Sequence, residues 1–419
     1  MLTFDPPTLE SQLRKPLLKV GDSVSLALND GIELNANFDV ANFPDTEICA
    51  STEAEIWLPR CENCPSITIG EAISLVDEVS DKETIFDGLI YHSKFRTLFR
   101  IASSDLQTIA FLEAIGEQHE LEAKIVVEIL GGSASVGLRS SSIHFASAVV
   151  LNDFFYDKNY PPIMPEDSFV EVTHPNGCIL DSAEELIQAY MFELHSSLDF
   201  QLHASPRAME WADFPEDEEI SELTERARRI RPLIVGPGVY SVVREFNHGV
   251  ASSNWESAFL SYVKCMEHVS ATVVREKQYE DLRKRLLSRE ALNPKAEYLA
   301  GLLALFEENR VFTRDFEALR LTVERCCDPL SIATHAPTFL KAMKAISSTT
   351  KPPDRKQALG EFSAALSATR NQLAHAKANY ELTGKECPPD EFDKLTKCAK
   401  LAAEQCIRWY AAHGPDLRR

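Results

Sequence analysis

The chain has 419 residues, of which 44% are apolar, and a formal net charge of −21. This length exceeds the roughly 250–300 residues at which one hydrophobic core stops growing, so we expect at least two domains. No stretch approaches the roughly 20 consecutive apolar residues that cross a bilayer, and the N-terminus lacks the order of a signal peptide. The composition therefore favours a soluble, cytoplasmic protein with no membrane segment.

The charge is divided unevenly along the chain. Residues 1–220 contain 12 Lys and Arg against 39 Asp and Glu, whereas residues 221–419 contain 31 against 25, so the parts carry −27 and +6. A strongly negative protein repels nucleic acid, which is itself a polyanion, but the C-terminal part is mildly basic. Any RNA-binding surface is therefore expected in the C-terminal part.

The N-terminal part shows the alternation of short β-strands. Alternating runs at 24–28 and 32–38 flank Asn29-Asp30-Gly31, which has turn chemistry, and together they predict a hairpin. Further strands are expected at 55–58, 66–69, 84–91, 95–101, 124–130 and 142–150. We predict a mostly antiparallel, β-rich domain over residues 1–165.

Four residues of this part could bind zinc. Cys61 and Cys64 have the C-x2-C spacing of a zinc knuckle, and His174 and Cys178 could supply two more ligands from a turn. Such a site would be structural, because four protein ligands leave no position for water. Accidental pairing is the alternative, since the two pairs lie far apart in the chain. The remaining cysteines are expected to be reduced thiols.

Residues 166–250 are interpreted as a helical and acidic bridging segment and linker. A helix is predicted over 181–195, with Asp181 as its N-cap and Glu184 at the capping-box position. An acidic run at 213–219 precedes a basic run at 226–231, which indicates a solvated linker or helix face, with a nucleic-acid patch as the alternative.

After Trp255, the apolar residues recur with the period of an α-helix. Phe259, Val263, Met266 and Val273 mark one face of a first long helix. Further helices are predicted at 294–309, 312–327, 336–346, 355–378 and 389–412, which gives a helical bundle over residues 251–415. The predicted fold class is α+β, with a β-rich N-terminal domain and an all-α C-terminal domain.

Arginine followed five positions later by histidine is a pattern suited to cutting RNA without a metal. If four to six intervening residues are allowed, chance alone supplies about two such arginine–histidine pairs in a chain of this composition, so context must choose among them. Three occur: Arg139 with His144, Arg370 with His375, and Arg408 with His413. The first falls in a strand-like region and the last at a helix end. The second lies within a helix whose apolar stripe is predicted to face the bundle core and consists of Leu359, Phe362, Leu366, Thr369 and Leu373. We therefore select Arg370 and His375.

Asn371 lies one turn before His375 on this predicted helix. Five positions rotate by about 140° on a straight helix, so Arg370 and His375 flank the Asn371 face and make an incomplete site. If two bundles pack antiparallel through this helix, two arginines and two histidines can surround one phosphodiester. The pattern therefore predicts a homodimer with a composite site.

Arg370-Asn371-x-x-Ala374-His375, placed before a final helix in a basic bundle, resembles the motif of the HEPN ribonuclease superfamily. The layout, with a β-rich region ahead of the bundle, is similar to that of ApeA-like anti-phage defence proteins. The resemblance implies an endoribonuclease that acts in abortive infection, with RNA, expected to be tRNA, as its substrate. It also implies catalysis without a cofactor and a phage-derived trigger for the N-terminal domain.

The residue chemistry agrees with this implication. Near neutral pH, His375 can remove the proton of a ribose 2′-hydroxyl or protonate the leaving oxygen. Arg370 can stabilise the phosphate in the transition state, and Asn371 can orient the histidine or hold the phosphate. No glycine-rich phosphate loop, serine-hydrolase elbow or zinc-protease helix is present in the sequence. The alternative is a non-catalytic RNA- or protein-binding dimerisation module, in which the same residues only decorate a helix.

Overall fold

The structure, a computed structural model, describes part of the chain. The described residues are 17–20, 23–29, 32–37, 53–58, 66–68, 75, 78–79, 81–117, 124–129, 132–152, 154, 167–206, 230–309, 315–374 and 382–418. Contacts between residues divide the chain into two compact units, Met1–Leu233 and Ile234–Arg419. The first unit contains the described strands and the second is helical, so the α+β architecture predicted from the sequence is confirmed.

The first sheet of the N-terminal unit is an antiparallel meander. Its five strands pair in chain order and are β1 (Leu17–Val20), β2 (Ser23–Asn29), β3 (Ile32–Asn37), β4 (Glu53–Trp57) and β5 (Ser66–Thr68). Strands β2 and β3 pair from Asn29 with Ile32 outward, with a register shift next to the turn. The hairpin predicted around Asn29-Asp30-Gly31 is confirmed.

The second sheet is also antiparallel in every described pair. Its strands are β6 (Ile85–Phe86), β7 (Ile90–His92), β8 (Arg96–Ala102), β9 (Ile125–Ile129), β10 (Gly132–Ser140), β11 (Ser168–Thr173) and β12 (His203–Ala204). The spatial order is β6-β7-β8-β11-β10-β9, and β12 also pairs with β8. Strand β11 therefore connects the two halves of the sheet.

Helices cover both faces of the second sheet. Helices α1 (Leu106–Glu117) and α3 (Leu180–Leu198) supply one face of a core in which Phe111, Tyr190 and Leu194 pack with strand residues such as Val170. On the other face, Phe145 of α2 (Ile143–Leu151) packs on Phe169 of β11, with 4.9 Å between ring centroids. Strands β8 and β11 in the middle of the sheet are therefore buried between two layers of apolar side chains, whereas edge strand β9 is partly exposed.

Two local predictions for this unit are wrong. Residues 142–150, predicted as a strand, form α2, because Ser142 caps the helix and its hydroxyl accepts a hydrogen bond from the Phe145 amide. Short apolar runs do not distinguish a strand from a buried helix. Helix α3 begins at Leu180 after Ile179, so Asp181 is a first-turn residue and not the N-cap. Its carboxylate there faces the positive end of the helix dipole.

The C-terminal unit is a bundle with one long central helix. Its elements are α4 (Val239–Ala251), α5 (Trp255–Leu286), α6 (Ala296–Asn309), α7 (Asp315–Cys326), α8 (Pro329–Ala333), α9 (Lys341–Lys344), α10 (Pro352–Ala374) and α11 (Phe392–Ala411). Helix α5 packs against α4, α7, α10 and α11. The predicted apolar face of α5 is confirmed, because Phe259, Val263, Met266 and Val273 are all buried.

Most of the predicted bundle helices are confirmed, and one is wrong. Residues 336–346 were expected to form a helix, but only Lys341–Lys344 is helical. The amides of Thr338 and Phe339 instead donate to the Glu391 carboxylate, at 2.8 and 3.2 Å. A carboxylate from a distant part of the chain therefore takes the donors that a helix would have used.

Residues 166–250, predicted as a bridging segment, contribute β11 and α3 to the N-terminal unit and α4 to the C-terminal unit. The acidic run at 213–219 and most of the basic run at 226–231 lie outside the described residues. Among the helices that the structure describes, none is both long enough and apolar enough to cross a membrane.

Alanine substitutions at two helical glycines are expected to change the stability of the protein in opposite directions. A Cβ at Gly249 in α4 would lie 2.7 Å from Cε1 of Tyr262 in α5, whereas a Cβ at Gly360 in α10 would meet nothing within 4 Å. We expect Gly249→Ala to lower the free energy of unfolding, because overpacking costs about 1–3 kcal/mol. Gly360→Ala should raise it by about 0.5–1 kcal/mol through helix propensity. Urea unfolding of both variants tests this pair, and a gain in stability for both would contradict the close packing of α4 on α5.

Candidate functional site

The candidate site lies near the C-terminal end of α10. Four residues of the predicted stripe, Leu359, Phe362, Leu366 and Thr369, are buried and face the bundle interior, whereas the fifth, Leu373, is only half-buried. Arg370 and Asn371 follow this stripe, and both are half-buried. The buried Thr369 hydroxyl accepts a hydrogen bond from the Cys387 amide at 2.9 Å, which attaches this end of α10 to the segment before α11.

Arg370 is held by two neighbours. Its Nε lies 3.2 Å from Oε1 of Glu267 in α5, and its Nη1 donates to Oδ1 of Asn371 at 3.1 Å. The Arg370 and Glu267 side chains are 30% and 32% exposed, so the pair remains in contact with solvent. The ion pair therefore positions the guanidinium more than it stabilises the fold.

The Arg370 site contains more negative than positive charge among its described groups. Burial raises the pKa of Glu267, the charge of Asp315 at the start of α7 raises it further, and Arg370 opposes both effects. The Glu267 carboxyl is thus influenced by one guanidinium and by a second carboxylate. Among these described groups, the negative charges outnumber the positive one for a phosphate that approaches Arg370.

The geometry leaves hydrogen-bond donors for a ligand. A guanidinium has five N–H groups, and the two contacts use Nε and one N–H of Nη1. No residue in the described part of the chain bonds Nη2, so this edge can bind two oxygens of a phosphate. Because Asn371 accepts through Oδ1, its amide nitrogen can donate to the same ligand. The arrangement is suited to binding an oxyanion.

His375, the third residue of the predicted site, lies outside the described residues, as do positions 376–378 of the predicted helix. The histidines of the other two Arg–His spacings both contact carboxylates. Nε2 of His144 lies 3.3 Å from Glu78, and Nε2 of His413 lies 3.0 Å from Glu276. His144 is in helix α2, contrary to the strand-like region predicted for it. Both histidines thus have structural partners.

Only half of the proposed zinc ligand set is described. Cys61 and Cys64 lie outside the described residues, and no three metal-binding side chains converge among those within them. His174 is buried; its Nδ1 donates to the Lys94 carbonyl at 2.9 Å, so Nε2 accepts from the Thr97 hydroxyl at 3.2 Å. Zinc at Nε2 would have to replace that hydroxyl.

Cys178, the other described residue of the set, is half-buried. Its thiol donates to the Ile179 carbonyl at 3.3 Å, and burial raises its pKa, which favours the protonated thiol over the thiolate that zinc requires. Zinc binding through His174 and Cys178 therefore stays a prediction.

Two acidic residues of the site were not identified from the sequence. Glu267 lies on α5 and Asp315 begins α7, far from Arg370 in the chain. The sequence contained one signal for Glu267: this residue directly follows Met266, which is buried on the apolar face of α5. A charged residue at the margin of a buried helix face needs a partner, but the sequence does not indicate which one.

Compared with protein-family models, curated proteins and solved structures, the chain matches none. The similarity to HEPN ribonucleases consequently rests on the residues around Arg370 and on the layout of the chain.

Substitutions of Arg370 and Glu267 test the charges at this site. We expect Arg370→Gln to lower stability at pH 7 more than Glu267→Gln, because it leaves Glu267 beside Asp315 without a cation. A double-mutant cycle in urea should give a coupling of about 0.5–1 kcal/mol, which is typical of a solvent-exposed pair.

The pH dependence of the Arg370→Gln variant is a second readout. A raised folded-state pKa means that ionised Glu267 costs stability above that pKa, and this cost disappears as the pH falls through it. The deficit of Arg370→Gln relative to wild type should therefore shrink as the pH falls from 7 toward 4.5, the ordinary pKa of a glutamate side chain. A deficit that is constant over this range would contradict the proposed repulsion.

Proposed function

We propose that the protein is a metal-independent endoribonuclease of the HEPN type that acts in the cytoplasm as an abortive-infection effector against phage. Its substrate would be tRNA or another cellular RNA. The observation that carries the proposal is the Arg370 guanidinium, which Glu267 and Asn371 hold in place while its side chain stays 30% exposed. The mildly basic C-terminal part of the chain is the expected location of an RNA-binding surface.

The proposed reaction is an internal phosphoryl transfer. The ribose 2′-oxygen attacks the adjacent phosphorus while the bond from phosphorus to the 5′-oxygen breaks, which leaves a 2′,3′-cyclic phosphate and a 5′-hydroxyl. His375 would take the 2′ proton or protonate the departing oxygen, since imidazole changes charge near neutral pH. Arg370 would bind the non-bridging oxygens as charge develops on them, and Asn371 would donate a further hydrogen bond.

A second copy of the chain would complete the site. In each copy the charges of Arg370 and Asp315 both act on Glu267, so these three described groups are negative in sum. A second copy brings the same three groups, so the excess is offset only by a protonated His375 from each copy. Because five positions rotate a straight helix by about 140°, Arg370 and His375 of one copy flank the Asn371 face instead of coinciding on it. We therefore propose a homodimer in which two copies of α10 surround one phosphodiester. The acidic N-terminal part would bind a phage-derived trigger. Its net charge of −27 would also allow it to restrain the basic bundle electrostatically.

Replacing His375 tests the proposed chemistry. We expect His375→Ala to reduce cleavage of total tRNA by at least about 100-fold, because general acid–base catalysis contributes roughly 10²–10⁴ to the rate. His413→Gln is the matched control, since His413 belongs to the other Arg–His spacing of the bundle and contacts Glu276. This variant should cleave like the wild type. All reactions contain EDTA, and the products are separated on denaturing gels.

The same assay distinguishes the alternative and the composite site. Equal cleavage by wild type and His375→Ala would refute the proposed role of His375, and binding of tRNA without cleavage would favour the non-catalytic module. Over a dilution series, a composite site predicts that specific activity falls when the dimer dissociates. A specific activity that stays constant while sedimentation shows monomers would show that one copy is sufficient.

A further inference from the structure

Five exposed leucines lie around the turn between α5 and α6. The chain leaves α5 at Leu286, forms a short 3₁₀ helix at Arg289–Leu292 and enters α6 at Ala296. Single exposed leucines are normal on a protein surface, but five within 18 residues of the chain indicate a binding surface. We call these five residues the leucine surface. Each is between 52% and 89% exposed, and they are Leu286, Leu287, Leu292, Leu299 and Leu303.

The packing of α6 on α5 leaves the leucine surface uncovered. The buried Tyr298 of α6 donates its hydroxyl hydrogen bond to the Arg285 carbonyl at 3.0 Å, so this face of α6 packs on the end of α5. Leu299 and Leu303 lie one turn apart on a different face of α6. None of residues 274–286 of α5 is buried, so the rest of the described bundle does not cover this end of the helix.

Positive charge is concentrated at the same turn. Residues 282–303 contain five Lys and Arg against two carboxylates, Glu290 and Glu297, in a chain whose net charge is −21. Glu280 and Asp281, just before this segment, are already held in ion pairs. None of the five cations forms an ion pair with another residue that the structure describes. These cations are Arg283, Lys284, Arg285, Arg289 and Lys295.

Screening by salt makes this local charge more important than the charge of the whole chain. At physiological ionic strength the interaction between exposed charges decays over about 8 Å. A surface in contact with the leucines would therefore interact mainly with the cations beside them. The partner of this turn is expected to be both apolar and negatively charged.

An anionic membrane surface has both properties. Its headgroups attract Lys and Arg, and apolar side chains enter the boundary below the headgroups to a depth of about 5–10 Å. Stable attachment takes two such signals, and the turn supplies an apolar cluster together with a polybasic one. A second copy of the chain would instead bring the same five cations to a symmetric interface, where like charges repel.

We propose that the turn between α5 and α6 binds an anionic lipid surface, with its leucines at the level of the acyl chains and its cations among the headgroups. The protein would lie on the membrane, since no helix in the described ranges is long and apolar enough to cross one. This inference is independent of the ribonuclease proposal, because it requires neither Arg370 nor His375.

Sedimentation with lipid vesicles tests the proposal on the full-length protein. The wild type should sediment with vesicles made of equal parts of phosphatidylglycerol and phosphatidylcholine. With phosphatidylcholine alone it should stay in the supernatant, because these vesicles carry no net charge. Added salt should weaken the sedimentation, since it screens the attraction between the cations and the headgroups.

Substitution of two leucines tests the apolar contribution. The double variant Leu287→Ser, Leu292→Ser should bind the anionic vesicles at least about ten-fold more weakly, because both side chains leave water on binding. Leu106→Ser is the matched control, since Leu106 is 73% exposed but begins α1 next to Asp105. This control should bind like the wild type.

Substitution of one lysine tests the charge contribution. Lys284→Gln should weaken binding about five-fold, because one Lys or Arg near an anionic surface contributes about that factor. Lys341→Gln, which removes an exposed lysine of α9, should have no effect. All these side chains are exposed, so the thermal midpoints of the variants should equal that of the wild type.

Three results would overturn the proposal: no sedimentation of the wild type with anionic vesicles, equal sedimentation with both lipid compositions, or equal binding by the double leucine variant and Leu106→Ser. A homodimer that the double leucine variant loses, in a protein that binds neither vesicle, would assign the leucine surface to a second copy of the chain instead.

Discussion

The C-terminal unit depends on the burial of one face of α5. This helix extends from Trp255 to Leu286 and contacts α4, α7, α10 and α11, so its register determines where the other helices lie. Its buried face also sets the position of Glu267, which follows Met266 and reaches Arg370 of α10. A shift of one residue would rotate Glu267 by about 100° and break the ion pair. Packing of apolar side chains thus determines where the charged groups of the candidate site lie.

The contact between Arg370 and Glu267 positions the guanidinium but adds little to the stability of the fold. Both side chains are about one-third exposed, so water weakens their attraction, and the nearby Asp315 opposes the ionisation of Glu267. What the pair supplies is orientation, since it holds Nε of a guanidinium that is still 30% exposed. A site in which the described groups are negative in sum is suited to a phosphate only when further positive charge arrives. A protonated His375 from each copy is the proposed source of that charge.

The sequence predicted an element correctly where many of its residues followed one repeating apolar pattern. Helices α5 and α10 repeat an apolar stripe over many turns, so Phe259, Met266, Phe362 and Leu366 were assigned correctly to the core. Short segments were decided by single hydrogen-bonded contacts, one of them with a distant residue and one of them local. Glu391 takes the amides of the expected helix at 336–346, and the Ser142 cap helps to convert an expected strand into α2. The same difference separates the residues of the candidate site. Arg370 and Asn371 belong to a recognisable local motif, so the sequence indicates them. Glu267 and Asp315 come near Arg370 only through the packing of three helices, so the sequence does not.

The chemistry of the cut RNA ends tests the central claim most directly. The wild-type protein is incubated with a single tRNA in EDTA, and the fragments are weighed by mass spectrometry. Attack by the 2′-hydroxyl predicts upstream fragments that end in a 2′,3′-cyclic phosphate and downstream fragments that begin with a 5′-hydroxyl. Fragments with a 3′-hydroxyl and a 5′-phosphate would contradict the account, because they require attack by water and departure of the 3′-oxygen.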